Sequence, residues 1–126
     1  MRTFKTKWFA RFARREGIAD QRLSEAIERA EQGLIDADLG GGLIKQRVAR
    51  QGKGRSGGYR MIVAYRAKSR AVFLFGFAKN EWENIEPHEL VFLRGLAENW
   101  LAADAAGIRE EIDAGNLQEI DDGEET

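Results

Sequence analysis

The sequence predicts one α+β domain, with two N-terminal helices packed on a mainly antiparallel sheet of three to four strands and a further helix near the C-terminus. Three observations predict this class. Apolar residues of the first third recur every three or four positions, as on one face of a helix. The middle third holds β-branched and aromatic runs between glycine-rich connections. After Pro87 the helical spacing returns, and a length of 126 residues suits one domain.

The N-terminal segment predicts a short strand and a first helix. Residues 1–5 are interpreted as the strand. Phe12 lies three residues after Phe9 and four after Trp8, which predicts an amphipathic helix with these rings on one face. Gly17 is predicted to end this helix, because glycine readily adopts the left-handed conformation found at helix C-termini.

A second helix is predicted to follow directly. Asp20 is a plausible N-cap residue, and Gly33 marks the end of the helix. The apolar stripe consists of Leu23, Ile27, Ala30 and Leu34. Because both helices are short, they need a sheet to pack against.

The middle of the chain predicts three antiparallel strands. The first spans residues 43–50, where alternation places Ile44, Gln46 and Val48 on one face and Lys45, Arg47 and Ala49 on the other. Residues 59–66 and 72–77 are the second and third strands, and the polar residues 67–70 join them as a hairpin. Residues 51–58, which include four glycines, are predicted to form the loop after the first strand.

The last third predicts a helix and an acidic extension. Pro87 suits the first turn of a helix, where no backbone donor is needed. The buried stripe of this helix is predicted to be Leu90, Leu93, Leu96, Ala97, Trp100 and Leu101. We expect a domain at residues 1–106 and an acidic C-terminal extension at residues 107–126, with at most one more weak element. From about Asp121 the chain is expected to be mobile.

Composition excludes several classes of protein. The chain has no cysteine, so it has neither disulfides nor a thiolate metal site. No apolar segment follows the N-terminal bases, as it would in a secretory signal. The longest apolar run, residues 71–78, is too short to span a bilayer. The sequence therefore predicts a cytoplasmic protein with no membrane contact.

Charge is strongly segregated along the chain, although its net value is only −1. Residues 39–80 contain ten bases and no acid, whereas residues 81–126 contain fourteen acids and only two Arg. A region of one sign concentrates a partner of the opposite sign. We interpret the middle region as a surface that binds a polyanion, with RNA as the favoured ligand. The alternative is a set of solvated bases balanced by nearby acids.

The basic middle region contains a glycine pattern that resembles a nucleotide-binding motif. Residues 52–57 match G-x-G-x-x-G, but a strand is predicted to follow and the next acid is Glu81. A dinucleotide site requires a helix after the motif and an acid about twenty residues on. We therefore interpret the segment as a basic loop whose backbone N–H groups can approach a phosphate closely.

Three basic side chains are candidates for RNA cleavage. Attack by the RNA's own 2′-hydroxyl needs a group that takes its proton, cations on the phosphate and an acid for the departing 5′-oxygen. Lys45 and Arg47 share one strand face, and Arg60 lies on the neighbouring strand. Lysine can accept a proton where neighbouring cations lower its pKa.

Other titratable groups are weaker candidates for a role in RNA cleavage. His88 is the single histidine and is interpreted as a capping or surface residue. Tyr59 and Tyr65 are candidates for base stacking or proton donation. Because the basic region contains no carboxylate cluster, a metal-dependent nuclease is disfavoured. We expect no metal and no cofactor.

Together these residues resemble the RelE/ParE superfamily of bacterial toxins, and most closely its HigB-like branch of cytotoxic translational repressors. The resemblance rests on Lys45-x-Arg47, on residues 52–62 (GKGRSGGYRMI) and on residues 73–81 (FLFGFAKNE), and it covers residues 3–103. It implies a β-α-α-β-β-β core with a further helix. It also implies a ribosome-dependent mRNA endonuclease that is silenced by a cognate antitoxin.

The resemblance also implies roles for particular residues. Arg60 matches the arginine on the scissile phosphate, Lys45 and Arg47 match a pair of strand lysines, and Lys79 matches the lysine that closes the last strand. The resemblance thus implies that these four residues are catalytic. The further RNA-binding residues are predicted to be Arg50, Lys53, Arg55, Tyr59 and Asn80. The chain departs from RelE where Asn80 replaces an arginine and where Ile85 and Glu86 stand in place of a tyrosine, so the general acid is unassigned.

Three hypotheses about function follow. The first is an endoribonuclease toxin that acts on mRNA at the ribosome, favoured by the density of bases on adjacent strands. The second is a ParE-like inhibitor of DNA gyrase, which cleaves no transcript. The third is a module that binds RNA or an antitoxin without catalysis. A shared fold does not by itself distinguish them.

Overall fold

The computed structural model describes residues 1–50, 54–79, 81, 82 and 84–120. The element order is β1 (Arg2–Thr6), α1 (Lys7–Glu16), α2 (Asp20–Glu31), β2 (Ala37–Gly40), β3 (Leu43–Arg50), β4 (Gly54–Arg66), β5 (Arg70–Ala78), α3 (Pro87–Ala102), α4 (Ala105–Asp113) and β6 (Leu117–Glu119). The α+β class is confirmed. No helix in the described part of the chain is long and apolar enough to cross a membrane.

The sheet is larger than the sequence predicts. Over the described ranges it has six strands in the order β2-β3-β4-β5-β1-β6. The pairing of β1 with β5 is parallel, and the other neighbours are antiparallel. The two additional strands, β2 and β6, have four and three residues. Strands this short contain too few alternating positions to be recognised from sequence.

The central hairpin agrees with its prediction, and the loop before it does not. β4 and β5 are antiparallel neighbours joined by a short turn at Ala67 to Ser69. However, β4 begins at Gly54, so residues 54–58 belong to a strand although they were predicted as loop. Glycine is unfavourable in strands, and pairing with β3 overrides that preference here.

Helices cover both faces of the sheet, and each side has its own hydrophobic core. The first core lies under α1 and α2 and includes Phe9, Phe12, Leu23, Ile27, Ile44, Val48, Met61, Val63 and Phe73. The second lies under α3 and α4 and includes Phe4, Leu43, Ile62, Ala64, Val72, Leu74, Leu93, Leu101, Ile108 and Leu117. Alternate residues of β3 and β4 therefore point to different cores, as the period of a strand requires.

The helix ends confirm three of the four signals in the sequence. Gly33, with a left-handed φ of 85°, directly follows the C-cap residue of α2, Gln32. Gly17 ends α1 with a left-handed φ of 71°, and Pro87 occupies the first turn of α3. Asp20 is not an N-cap, which corrects the prediction: the N-cap of α2 is Ala19. The carboxylate of Asp20 instead accepts a hydrogen bond from Lys5 Nζ at 2.6 Å, so a tertiary ion pair takes the side chain away from the helix end.

The C-terminal segment is part of the fold. The expected boundary at residue 106 falls inside α4, and β6 pairs with β1. Ile108, Leu117 and Ile120 are buried in the two cores. The described part of the proposed extension therefore completes the domain. The residues from Asp121, predicted to be mobile, lie outside the described residues.

Candidate nucleic-acid interface

Two arginines face each other across neighbouring strands. Arg47 on β3 is the register partner of Arg60 on β4. Lys45 is opposite Ile62, so it lies diagonally from Arg60. Side chains at such positions lie about 4.5–5.5 Å apart at Cβ when directly opposite and about 7–8 Å apart when diagonal. The structure thus brings Lys45, Arg47 and Arg60 together, as the alternation predicts.

Helix α3 covers one end of a sheet face. Lys45, Arg47 and Arg60 lie on the same face, at its other end. Leu43 and Ala64 are register partners in the core beneath α3, and Lys45 and Arg60 continue the same face of each strand. Arg47 is exposed, and Lys45 and Arg60 are half-buried. The three side chains therefore lie at the margin of a hydrophobic core, where water is partly excluded.

Arg60 has an unsatisfied polar group. Its Nη1 atom is buried and has no hydrogen-bond partner among the described residues. Burial lowers the pKa of Arg60, the positive charge of Arg47 lowers it further, and Asp36 opposes both effects. A buried donor without a partner costs free energy unless a ligand supplies an acceptor. An anion between Arg47 and Arg60 would supply both an acceptor and the opposite charge.

No carboxylate forms an ion pair with these side chains within the described part of the chain, although Asp36 is near enough to raise the pKa of Arg60. The ion pairs found there involve other bases, such as Arg2 with Glu119 and Lys5 with Asp20. None includes Lys45, Arg47, Arg60 or Lys79. The alternative interpretation, in which nearby acids balance the bases, therefore applies to this cluster only through the charge of Asp36, which forms no ion pair with it.

The backbone that carries Arg47 is held by the side chains of Arg29, Asp36 and Gln46, none of which is a predicted site residue. The backbone N–H of Arg47 donates to Asp36 Oδ2 at 2.6 Å, and its carbonyl accepts from Arg29 Nη2 at 2.5 Å. Gln46 is fully buried, accepts from the backbone N–H of Asp36, and donates to the carbonyls of Ala26 and Leu34. These bonds fix β3 against α2, and with it the direction of the Arg47 side chain.

Some bases of the acid-free region are structural. Arg66 donates to the carbonyl of Leu101 at 3.0 Å, and Arg70 donates to those of Trp100 and Ala103 at 2.8 and 2.7 Å. Cations at these carbonyls stabilise the C-terminus of α3. Burial lowers the pKa of Arg70, and Arg2 and Arg66 lower it further. The run of bases in the sequence therefore overstates the charge available to a ligand.

The two tyrosines do not belong to the cluster of cations formed by Lys45, Arg47 and Arg60. Tyr59 is buried in the core under α1, against Phe12, and its hydroxyl donates to Glu16 at 2.9 Å. The prediction that Tyr59 binds RNA does not fit this burial, because its ring is covered by protein. Tyr65 lies on the same face and donates to Glu31. Both rings point away from Lys45 and Arg60, because the period of a strand places them on the opposite face.

Three of the remaining predicted residues lie at this end of the sheet. Lys79 is exposed immediately after β5, and Arg50 and Arg55 lie on β3 and β4. Lys53 and Asn80 lie outside the described residues.

Two grooves border α3. One, of about 300 Å³, lies at the N-terminal end of the helix and is lined by Phe75, Trp82, His88, Glu89, Phe92 and Leu93. The other, of about 850 Å³, lies between α3 and α4. Glu110, Glu111 and Asp113 line the larger groove, and three carboxylates disfavour a phosphate ligand there. The larger groove is therefore not the interface that the cations indicate.

Comparison with known proteins identifies one family. The model of the family described as "RelE toxin of RelE / RelB toxin-antitoxin system" matches residues 1–120. A comparison with curated proteins gives no match. The matched range includes β1 and β6 and all four helices between them.

Proposed function

The chain belongs to the RelE toxin family of toxin–antitoxin systems, and from this premise we propose that it is an mRNA endonuclease that acts on the ribosome and inhibits translation. As a toxin of such a system it has an antitoxin as its partner. We further propose that it belongs to the HigB-like branch and works in the cytoplasm without a metal ion.

The observation that carries this proposal is the pair Arg47 and Arg60. Two cations in direct cross-strand register, with no carboxylate partner in the described ranges, repel one another unless an anion lies between them. The unpartnered Nη1 of Arg60 is a donor available to a phosphate oxygen. Fixed cations aimed at a phosphate stabilise the charge that develops on it during cleavage.

The proposed reaction uses the RNA as its own nucleophile. The 2′-hydroxyl loses its proton and attacks the adjacent phosphorus, the bond to the 5′-oxygen breaks, and that oxygen takes up a proton. Arg60 and Arg47 hold the phosphate. Lys45, which lies diagonally from Arg60, is the candidate base that accepts the proton of the 2′-hydroxyl. We propose Lys79, Arg50, Lys53, Arg55 and Asn80 as further contacts along the RNA.

Inducible expression followed by mapping of transcript 5′ ends tests this function. We expect new 5′ ends within coding regions for the wild type, and none for Arg60→Ala. The matched control is Arg11→Ala, which removes an exposed arginine from α1 and should leave cleavage unchanged. Because Arg60 is half-buried, circular dichroism should first establish that Arg60→Ala is folded.

Two results would contradict the proposal. Growth arrest with DNA damage signalling and no new 5′ ends would indicate a gyrase inhibitor. Full cleavage by folded Arg60→Ala would show that the arginine pair is not the phosphate site.

A further inference from the structure

An apolar groove opens at the N-terminal end of α3, on the sheet face that carries the arginine pair. It is lined by Phe75, Trp82, His88, Glu89, Phe92 and Leu93 and has a volume of about 300 Å³. Phe92 is 62% exposed, although it is a large aromatic residue. This volume is at the lower end of the range for small-molecule sites. The groove therefore suits one planar ring.

Contacts connect the groove to the arginine pair. Phe77 on β5 is the register partner of Arg60, on the side opposite to Arg47. The ring of Phe77 meets that of Trp82 edge-on, with centroids 5.4 Å apart, and Trp82 is one wall of the groove. The buried ring of Phe77 thus lies between Arg60 and Trp82, so the groove and the arginine pair are connected through one residue.

We infer that the groove binds one nucleobase of the RNA, turned out of its stack, while Arg47 and Arg60 hold a neighbouring phosphate. This inference rests on the proposed function and assigns a base site within it. A nucleotide combines a flat aromatic ring with an adjacent anion. Single-stranded RNA is generally bound in this way, with bases stacked on aromatic side chains and cations along the backbone.

Glu89 gives the groove a polar edge. Its Oε1 accepts from Trp82 Nε1 at 3.2 Å and from the backbone N–H of Glu86 at 2.8 Å. Its Oε2 makes no hydrogen bond within the described ranges, so it can accept one from a ligand. A carboxylate repels phosphate and accepts from amino groups. The groove should therefore prefer adenine, cytosine or guanine, which carry an exocyclic amino group, to uracil.

The test is cleavage of a short mRNA on ribosomes programmed with a defined codon in the A site. We expect Phe92→Ala to raise the half-saturating toxin concentration about tenfold, since one base–aromatic contact contributes about that much to affinity. Val91→Ala is the matched control, because Val91 is also exposed on α3 but does not line the groove. Equal half-saturating concentrations for Phe92→Ala and the wild type would overturn the inference.

Quenching of tryptophan fluorescence by trinucleotides separates this inference from the proposed function. We expect ApApA to quench more than UpUpU, Trp82→Phe to lose the quenching, and Glu89→Gln, which retains the N-terminal capping interaction, to reduce the difference between trinucleotides. If the wild type fails to cleave RNA but shows this quenching, the endonuclease proposal fails and the base site stands. If neither trinucleotide quenches, the base site is wrong whatever the cleavage result.

Discussion

Arg47 and Arg60 are register partners on β3 and β4, so two positive side chains lie directly opposite each other on one sheet face. Like charges at such positions destabilise a sheet. Burial lowers the pKa of Arg60, and the charge of Arg47 lowers it further; this second effect is the same repulsion expressed as a protonation equilibrium. The pair therefore lowers the free energy of unfolding, and binding of an anion between the two arginines offsets this loss.

Removing one charge of the pair should stabilise the protein. We expect Arg47→Gln to raise the free energy of unfolding by up to about 0.5 kcal/mol at low salt, because it relieves cross-strand repulsion. The gain should shrink at high salt, since ions screen exposed charges. Urea denaturation at two salt concentrations measures both effects. A loss of stability at low salt would show that repulsion within the pair is not significant.

Binding to single-stranded RNA should weaken steeply with salt, because cationic side chains release counterions from the phosphates. We expect Arg60→Ala to reduce the slope of log K against log salt by about 0.7, the value for one phosphate contact on a single strand. Fluorescence anisotropy with a labelled oligonucleotide measures the slope. Arg11→Ala serves as the control, and an unchanged slope for Arg60→Ala would place the phosphate elsewhere.

Gln46 should be a major contributor to stability. Its side chain is 0% exposed and bonded to Asp36, Ala26 and Leu34. Replacement by leucine keeps the bulk but leaves buried polar groups without partners, so we expect Gln46→Leu to cost roughly 2 kcal/mol. The matched control is Gln118→Leu on the exposed side of β6, which should cost much less. Equal costs in chemical denaturation would contradict this role.

Replacement by alanine should change the stability of the protein in opposite directions at Gly76 and at Gly95. A Cβ at Gly76 would lie 2.4 Å from Phe12 Cε2, in the core under α1, so we expect Gly76→Ala to cost about 1–3 kcal/mol. A Cβ at Gly95 would meet nothing within 4 Å. Because Gly95 lies within α3, Gly95→Ala should stabilise the protein by up to about 1 kcal/mol. Thermal unfolding measures both effects: the midpoint temperature should fall for Gly76→Ala and rise for Gly95→Ala.

The hydrogen bond from Tyr65 to Glu31 should make stability depend on pH. This bond lowers the pKa of Glu31 below its ordinary value of 4.5, although burial opposes the shift. Its contribution is therefore present above pH 4.5 and is lost as the pH falls through the lowered pKa. Burial and Glu31 raise the pKa of Tyr65 above its ordinary value of 10.0, so the contribution is lost again at higher pH.

Tyr65→Phe removes this hydrogen bond with little change in shape. We expect the difference in free energy of unfolding between the wild type and Tyr65→Phe to be largest near neutral pH and to shrink below pH 4.5. Denaturation between pH 3 and pH 8 measures it. A difference that does not change with pH would mean that Glu31 is not linked to Tyr65.

Much of the fold follows from local patterns. The helical spacing around Phe9 and Phe12 and the alternation in residues 43–50 predict elements that the structure contains. The prediction fails at β2 and β6, because these strands are too short to show a period. It also fails at Asp20, because its carboxylate bonds to Lys5, fifteen residues away, instead of capping the helix. Such elements depend on partners that local sequence does not reveal.

The candidate site was predictable in part. Alternation alone places Lys45 and Arg47 on one face, and the structure adds that Arg60 lies opposite Arg47. The residue type of Tyr59 predicts a contact with RNA, whereas its burial depends on which face α1 covers. The sequence pattern does not predict the groove beside Trp82. A signal was present, because Phe92 lies outside the predicted apolar stripe of α3.

The sequence by itself determined the α+β class, the central hairpin, the end of α1 and the strand face that carries Lys45 and Arg47, because each follows from the period or conformational preference of neighbouring residues. Only the tertiary structure decided which bases are available to a ligand. Arg66 and Arg70 bind the end of α3, Lys5 pairs with Asp20, and Arg60 forms no ion pair in the described ranges. The reason is physical: the effect of a charge depends on its neighbours in space, and packing of the chain selects them.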